Sequence, residues 1–376
     1  TELNSKFAAY CDCQYGAAVA NGTVSMELCL RDWGIGPGDE VVVPAATFFA
    51  TSVAVHHEGA TVVYADLDPK TANLDPASFE AAISDKTKAV IPVDIAGHPA
   101  DMDAIVAVAR KHGIKVLEDA AQAHGAIYKG RKTGSLGDAG SFSFQQSKNM
   151  QSGEGGFVCS NDGAFIDLIH YSLGKFGRGV RDRYAGHIHY NFGWNACYTE
   201  IQAAIALGQL ERLETQTAHR FENAKRLITE LQGIEGFTPY CYEPYCTRHG
   251  HHLLMAAFDP AGFDGVSRAQ FLAALNAEGV PASSFYPMAL YQQPVYQSDP
   301  RLKMRHLPCP VAEKVCRETV FFEQNLLLSE PERMSEIAGA VRKLRQRAKE
   351  LLAIQVKSED FMGSAVLRQA RQAAAR

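Results

Sequence analysis

Lys148 stands five residues after Ser143 and just before the turn Gly153-Glu154-Gly155-Gly156, in the stretch DAGSFSFQQSKNMQSGEGGFVCS. A lysine that forms a Schiff base needs an amine pKa lowered by desolvation or nearby positive charge, and a backbone that lets the amine leave and return. The glycines supply the second requirement. By itself, a lysine beside a glycine-rich loop is more often a surface charge. A second stretch, KVLEDAAQAHGA, reads as a buried strand ending in Glu118-Asp119. An acid at the end of a parallel strand lies where α/β sheets place their ligands. Asp119 there suits a protonated pyridine nitrogen, the contact that keeps pyridoxal phosphate an electron sink. A helix N-cap explains Asp119 equally well. In VANGTVSMEL, Asn21-Gly22-Thr23 precedes a helix-period run, so free amides and the Thr23 hydroxyl suit a phosphate, though capping alone also accounts for Thr23. In PAATFFATS, Phe48 opens another helix, where core packing is commoner than stacking on a ligand ring.

These residues need a scaffold that brings strand ends and helix starts to one edge. From about residue 15 to 160, short apolar runs alternate with helix-period segments, the pattern of a mostly parallel sheet covered by helices, hence an α/β core. Expected strands are Glu40 to Val43, Thr61 to Ala65, Thr87 to Pro92, Lys115 to Glu118 and Gly140 to Phe144. Between them fall helices over Asp75 to Ser84 and Ala104 to His112, the second stopped by Gly113. A long amphipathic segment from Thr199 closes at Gly233 and would link a large domain, 1–233, to a smaller α+β domain, 234–352. A polar, Ala/Arg-rich tail, 353–376, reads as a frayed or solvent-facing helix.

Bulk properties narrow the partners. The 376 residues exceed what one ordinary core needs, and 46% hydrophobic with 21% charged residues is globular usage. A net charge of −5 without a Lys/Arg cluster argues against nucleic acid. There is no run of eighteen apolar residues and no signal-peptide pattern in TELNSKFAAYCDCQYG, which points away from membrane or export. Nine scattered cysteines, with Cys11-Asp12-Cys13 lacking a second half at zinc spacing, read as reduced thiols of a cytoplasmic protein without a metal site.

In order and spacing, NGTVSMEL, GDEVVVPAATFFAT, EDAAQAHGA, GSLGD, FSFQQSK and GEGG resemble the DegT/StrS family of sugar and cyclitol aminotransferases, which are fold-type I pyridoxal-phosphate enzymes. The likeness runs from Phe7 to Leu344, and FSFxxxK with GEGG and EDAAQAHG is its most specific part. The resemblance implies that Lys148 holds pyridoxal phosphate through its amine and shuttles the proton. Asp119 would bond the pyridine nitrogen, Gln122 the ring hydroxyl oxygen, and Phe48 would stack on the ring. Thr23, the backbone amide of Val24 and Ser143 would hold the phosphate. The segment GWNACYTEIQAA is similar to the family's N-Y-R-M-T-E-I-Q, whose Asn reaches the partner's cofactor, which places Asn195 in trans and implies a homodimer with shared active sites. Cys197 stands where the family usually has Arg, which removes a charge-assisted contact. RHGHHLLMAAF resembles the family's H-x-Y-H strand, giving His249 a place beside the substrate, although a lone His is more often structural. Tyr286, Met288 and Tyr291 would line the variable end of the pocket. The family usually carries extra residues ahead of the position of Phe7, so an upstream stretch is expected beyond the sequence given.

The activity implied is transfer of an amino group from glutamine or glutamate to a keto-cyclitol or keto-sugar, in secondary-metabolite or aminosugar biosynthesis. The stretch from Phe258 to Tyr296 and the Gln-Gln-Ser before Lys148 resemble the subgroup that aminates keto-inositols. Nucleotide-linked keto-sugar aminotransferases are the alternative, followed by aminohydroxybenzoate synthases, which share a similar loop. A cofactor-binding regulator would have little need to keep Lys148, Asp119 and Gln122 together, and a related dehydratase subgroup has His at the position of Lys148.

Overall fold

The computed structural model describes residues 2–177 and 188–356, so most of the expected tail falls outside the described residues. Seven strands of the N-terminal part are β1 (Tyr15–Val19), β2 (Glu40–Pro44), β3 (Thr61–Ala65), β4 (Thr87–Val90), β5 (Lys115–Asp119), β6 (Ala139–Ser143) and β7 (Gly156–Ser160). Further on come β8 (Phe237–Pro239), β9 (Leu253–Phe258), β10 (Ser283–Ser284), β11 (Met304–His306) and β12 (Thr319–Glu323). The helices used below are α1 (Glu2–Tyr10), α2 (Gly22–Asp32), α3 (Ala50–His57), α4 (Pro76–Ala82), α5 (Met102–His112), α6 (Glu200–Leu231), α7 (Arg268–Ala277), α8 (Pro310–Glu318) and α9 (Glu332–Gln346).

The main sheet runs β1-β7-β6-β5-β4-β2-β3-β11, and β7 alone is antiparallel to its neighbours. Its central strands are apolar on both faces, as a sheet covered by helices on two sides requires: Val41, Val42, Val43, Val62 and Val63 are fully buried. The expected helices form where their stop signals stand. Asp75 caps α4 by accepting from the Ser78 amide, and α5 closes on Gly113 in the left-handed region, φ 66°. The strand expected to reach Pro92 stops at Val90, because proline has no N–H to give the ladder.

α6 starts with a capping box between Thr199 and Gln202 and runs about 48 Å. The C-terminal half of α6 buries Ala224, Leu227, Ile228 and Leu231 against a second sheet, β8-β9-β12-β10, all antiparallel, with α7 and α9 packed on the same core. One departure from the expected division at 233 stands out. β11, from the later part, adds in parallel to the free edge of β3 and is held there by an Arg305–Glu40 ion pair at 2.6 Å. Asp66, just after β3, accepts from the Val311 and Ala312 amides at the start of α8. Residues between β10 and β12 therefore return to the main sheet. A three-residue strand has too short a period to be read from sequence.

Candidate active site

Side chains alternate along β5, so its last two acids face opposite ways. Glu118 accepts from the Gly134 amide at 2.7 Å and the Leu136 amide at 2.9 Å, fastening the loop before β6. Burial pushes its carboxyl up to about 7, and it raises that of the neighbouring Asp94 as well. Asp119 faces the other side, 5% exposed, where Oδ2 accepts from the Thr51 hydroxyl at 3.0 Å and Oδ1 from the Ala121 amide at 3.2 Å. Burial raises the Asp119 carboxyl. The two hydrogen bonds and the nearby Lys148 charge oppose that rise.

Lys148 sits in a turn closed by its own amide to Gln145 O at 2.9 Å. Burial brings its amine down to about 8, with Asp119 the opposing influence, and among the described residues the amine makes no hydrogen bond or ion pair. Its neighbour Asn149 donates to Gly250 O at 2.6 Å, and Met150 is fully buried, so the backbone under Lys148 is pinned although its side chain is free.

The phosphate-like corner is built by close approach. A Cβ on Gly156 would lie 2.3 Å from the Asn21 carbonyl carbon, and one on Gly22 would lie 2.9 Å from Ser143 Cβ, so only glycine lets the start of α2, the end of β6 and the start of β7 meet. The Gly22 and Thr23 amides and the Thr23 hydroxyl, at the start of α2, have no hydrogen-bond partner among the described residues, and Ser143 Oγ accepts from the Gln145 amide at 3.4 Å. Val24 departs from expectation: its amide is already taken by Asn21 Oδ1 at 2.9 Å, because Asn21 caps the helix. Phe48 is 61% exposed, so it is not a core residue and its face is open. Gln122 is buried, with Oε1 accepting from the Ala96 amide at 2.7 Å and Nε2 donating weakly to the Tyr286 hydroxyl at 3.4 Å.

The C-terminal part contributes the opposite wall. His249 stacks on His251 with ring centres 3.9 Å apart, and its Nδ1 accepts from the His251 amide, which leaves the proton on Nε2. Burial, then the neighbouring His251 and His98, hold His249 well below the usual histidine range, so it is a neutral donor. Met288 is buried and Tyr286 reaches Gln122. Tyr291 is drawn elsewhere: its hydroxyl donates to Glu313 at 2.6 Å and its ring stacks on His306, which ties it to the β3–β11 edge of the sheet. Asn195 and Cys197 are exposed, with backbone bridges to Lys175 and Val19 respectively.

The sequence reading missed Thr51 and Asn149, and it missed His124 and His252. These two imidazoles are buried and kept neutral by burial first, then by the positive charge of Lys148. Thr51 stands three residues after Phe48, in the first turn of the helix that follows it, which was the one signal for it.

A buried amine near a buried carboxylate, with an exposed aromatic ring and a glycine-lined helix start in the same domain, fits what a pyridine aldehyde phosphate needs. Residues 1–342 match the DegT/DnrJ/EryC1/StrS aminotransferase family. This chain belongs to that family. It is a pyridoxal-phosphate-dependent transaminase. Among relatives in this family, a putative L-glutamine:3-amino-2,3-dideoxy-scyllo-inosose aminotransferase of Streptomyces kanamyceticus is 37% identical, over 90% of this chain and 84% of its own length. GDP-perosamine synthase of Caulobacter vibrioides is 45% identical over 76% of each chain. The crystal structure of 3-amino-5-hydroxybenzoic acid synthase superposes with a TM-score of 0.83 at 31% identity, covering 92% of this chain and 90% of that one, so the α/β fold is that of the pyridoxal-phosphate aminotransferases.

Proposed function

We propose that this DegT/StrS aminotransferase moves the amino group of glutamine or glutamate to a keto-cyclitol. The observation that carries the reading is the unpaired Lys148 amine, brought down to about 8 and set near the Asp119 carboxylate. Lys148 anchors the cofactor and then, as a free amine, takes a proton from the donor carbon and returns one to the acceptor carbon. An amine near 8 is about one-tenth neutral at pH 7 and about half neutral at pH 8, so a usable share of it serves as base without a second residue to deprotonate it. Bound pyridoxal phosphate supplies the sink for the electrons left when that proton departs. Asp119 would keep the pyridine nitrogen protonated, Gln122 would meet the ring hydroxyl, Phe48 would cover a ring face, and Thr23 and Ser143 would hold the phosphate. His249 offers a neutral N–H, and Tyr286 with Met288 shapes the acceptor end.

The 37% identity to a cyclitol aminotransferase over most of both chains supports the acceptor. The higher identity to GDP-perosamine synthase, over a shorter span, favours a nucleotide-linked keto-sugar as the second reading. We also read the protein as a homodimer in which Asn195 reaches the partner's phosphate site. The apolar side chains around it, Phe192 at 82% and Ile201 at 77% exposed, are costly to leave in water. All nine cysteines are free thiols, which supports a cytoplasmic setting.

The test is a visible spectrum of the protein with pyridoxal phosphate, followed by donor and acceptor screens. A yellow band that bleaches with glutamine and returns with a keto-inositol supports the proposal. Return only with a nucleotide keto-sugar moves the acceptor to the second reading, and a band indifferent to either amino donor sinks the transfer.

A further inference from the structure

Asp119 has two oxygens and accepts one hydrogen bond at each from the protein, so its remaining acceptor positions are defined by how those two bonds turn the carboxylate. The Ala121 amide at 3.2 Å is the longer of the two and comes from the chain just past Asp119 itself, so it moves with the residue it holds. The Thr51 hydroxyl at 3.0 Å comes from a different element, the first turn of α3, and is 1% exposed. A carboxylate only accepts, so Thr51 must be the donor. A β-branched side chain has few χ1 choices within a helix, so this donor is stiff.

The same turn presents Phe48, whose carbonyl accepts from the Thr51 amide at 3.3 Å. One turn of chain after β2 thus carries both the open aromatic face and the grip on the acid.

We propose that Thr51 is the positioning residue for Asp119: its hydroxyl fixes the carboxylate so that the acceptor positions left free meet the pyridine nitrogen of pyridoxal phosphate. The inference rests on the cofactor reading of Asp119 given above. The charged and titratable groups around Asp119 are Lys148 from the turn after β6, Asp94 from the loop after β4, Tyr286 from the C-terminal wall, and Glu118 preceding it on β5. Of these only Lys148 favours the ionised carboxylate, and its amine is partly neutral near pH 8. Thr51 does not titrate. It supports the ionised acid at every working pH, whereas the help from Lys148 fades as pH rises.

The experiment measures the dissociation constant of pyridoxal phosphate, and of its 1-deaza analogue in which carbon replaces the pyridine nitrogen, for the purified full-length apo-protein and three variants. Thr51→Val keeps the shape and deletes the donor; it is expected to weaken pyridoxal phosphate about tenfold, the usual worth of a hydrogen bond to a charged group. Thr51→Ser restores the hydroxyl and should stay within about threefold of the parent. Toward the deaza analogue, the parent and Thr51→Val should bind alike. Thr51→Val binding pyridoxal phosphate as the parent does overturns the proposal. A loss of the same size toward both ligands also overturns it, since that is the mark of a general packing role. Asp119→Asn separates the two levels: if it weakens pyridoxal phosphate and Thr51→Val does not, only the Thr51 inference fails. If Asp119→Asn changes nothing, the reading of Asp119 fails and the inference with it.

Discussion

The two walls of the site are built differently. On the β5–β6 side, the groups are held by short bonds from neighbouring segments: Asp119 by Thr51 and Ala121, the Lys148 backbone by Gln145 and by the bond from Asn149 to Gly250, and the corner between α2, β6 and β7 by glycines that admit no side chain. On the opposite wall, the groups come from the C-terminal part: His249 is held by its neighbour His251, and Tyr286 meets Gln122 of the first wall through a long contact. On the proposed reading, the chemistry that must not vary is thus anchored at the sheet, while the wall proposed to meet the acceptor hangs on a longer contact. Substitutions on the first wall should damage turnover with any acceptor, and those on the second should change which acceptor is used.

Lys148→Ala puts that contrast to its hardest trial: transamination, followed as cofactor bleaching by glutamine or glutamate, should fall about 10³-fold or more with every acceptor. Residual turnover near the parent's would place the base elsewhere. Next in size is a pH effect. Only the neutral amine is nucleophilic, and burial brings Lys148 down to about 8, so the rate at which apo-protein and pyridoxal phosphate develop the visible band should rise about tenfold per pH unit below 8 and flatten above it. A rise continuing past pH 10 would mean an ordinary exposed lysine.

Tyr286→Phe, on the weaker wall, loses only the 3.4 Å contact to Gln122. The expected result is a change of about threefold in acceptor KM, with the donor half-reaction unaltered in stopped-flow bleaching. A larger effect on the donor half would join Tyr286 to the first wall. Smallest in catalysis is Tyr291→Phe, which removes the hydroxyl bonded to Glu313 at the sheet edge. It should cost about 1 kcal/mol in urea unfolding and leave KM and kcat within about twofold. A shifted acceptor preference would return Tyr291 to the pocket.

How far the sequence reached depended on the range of each signal. The alternation of apolar runs placed β2 and β3 to within a residue, and the stops at Gly113 and Gly233 placed the ends of α5 and α6. The motif around Lys148 and the acid closing β5 were visible because their neighbours in the chain are also their neighbours in space. Asn21 competes for the Val24 amide, a local capping choice that the motif leaves open. The partners of Tyr291, Glu313 and His306, were not legible in the sequence because they are met only after the chain folds back to the β3 edge.

By itself the sequence determined the alternating α/β scaffold, the lysine between β6 and the glycine turn, the acid at the strand end and the glycines that let three segments converge, since all of these are written in local order and spacing. The tertiary structure alone decided that Thr51 grips Asp119, that β11 closes the far edge of the main sheet, and that His249 is a neutral donor. Each of those depends on burial and on a partner from another segment, and neither is encoded at any single position of the chain.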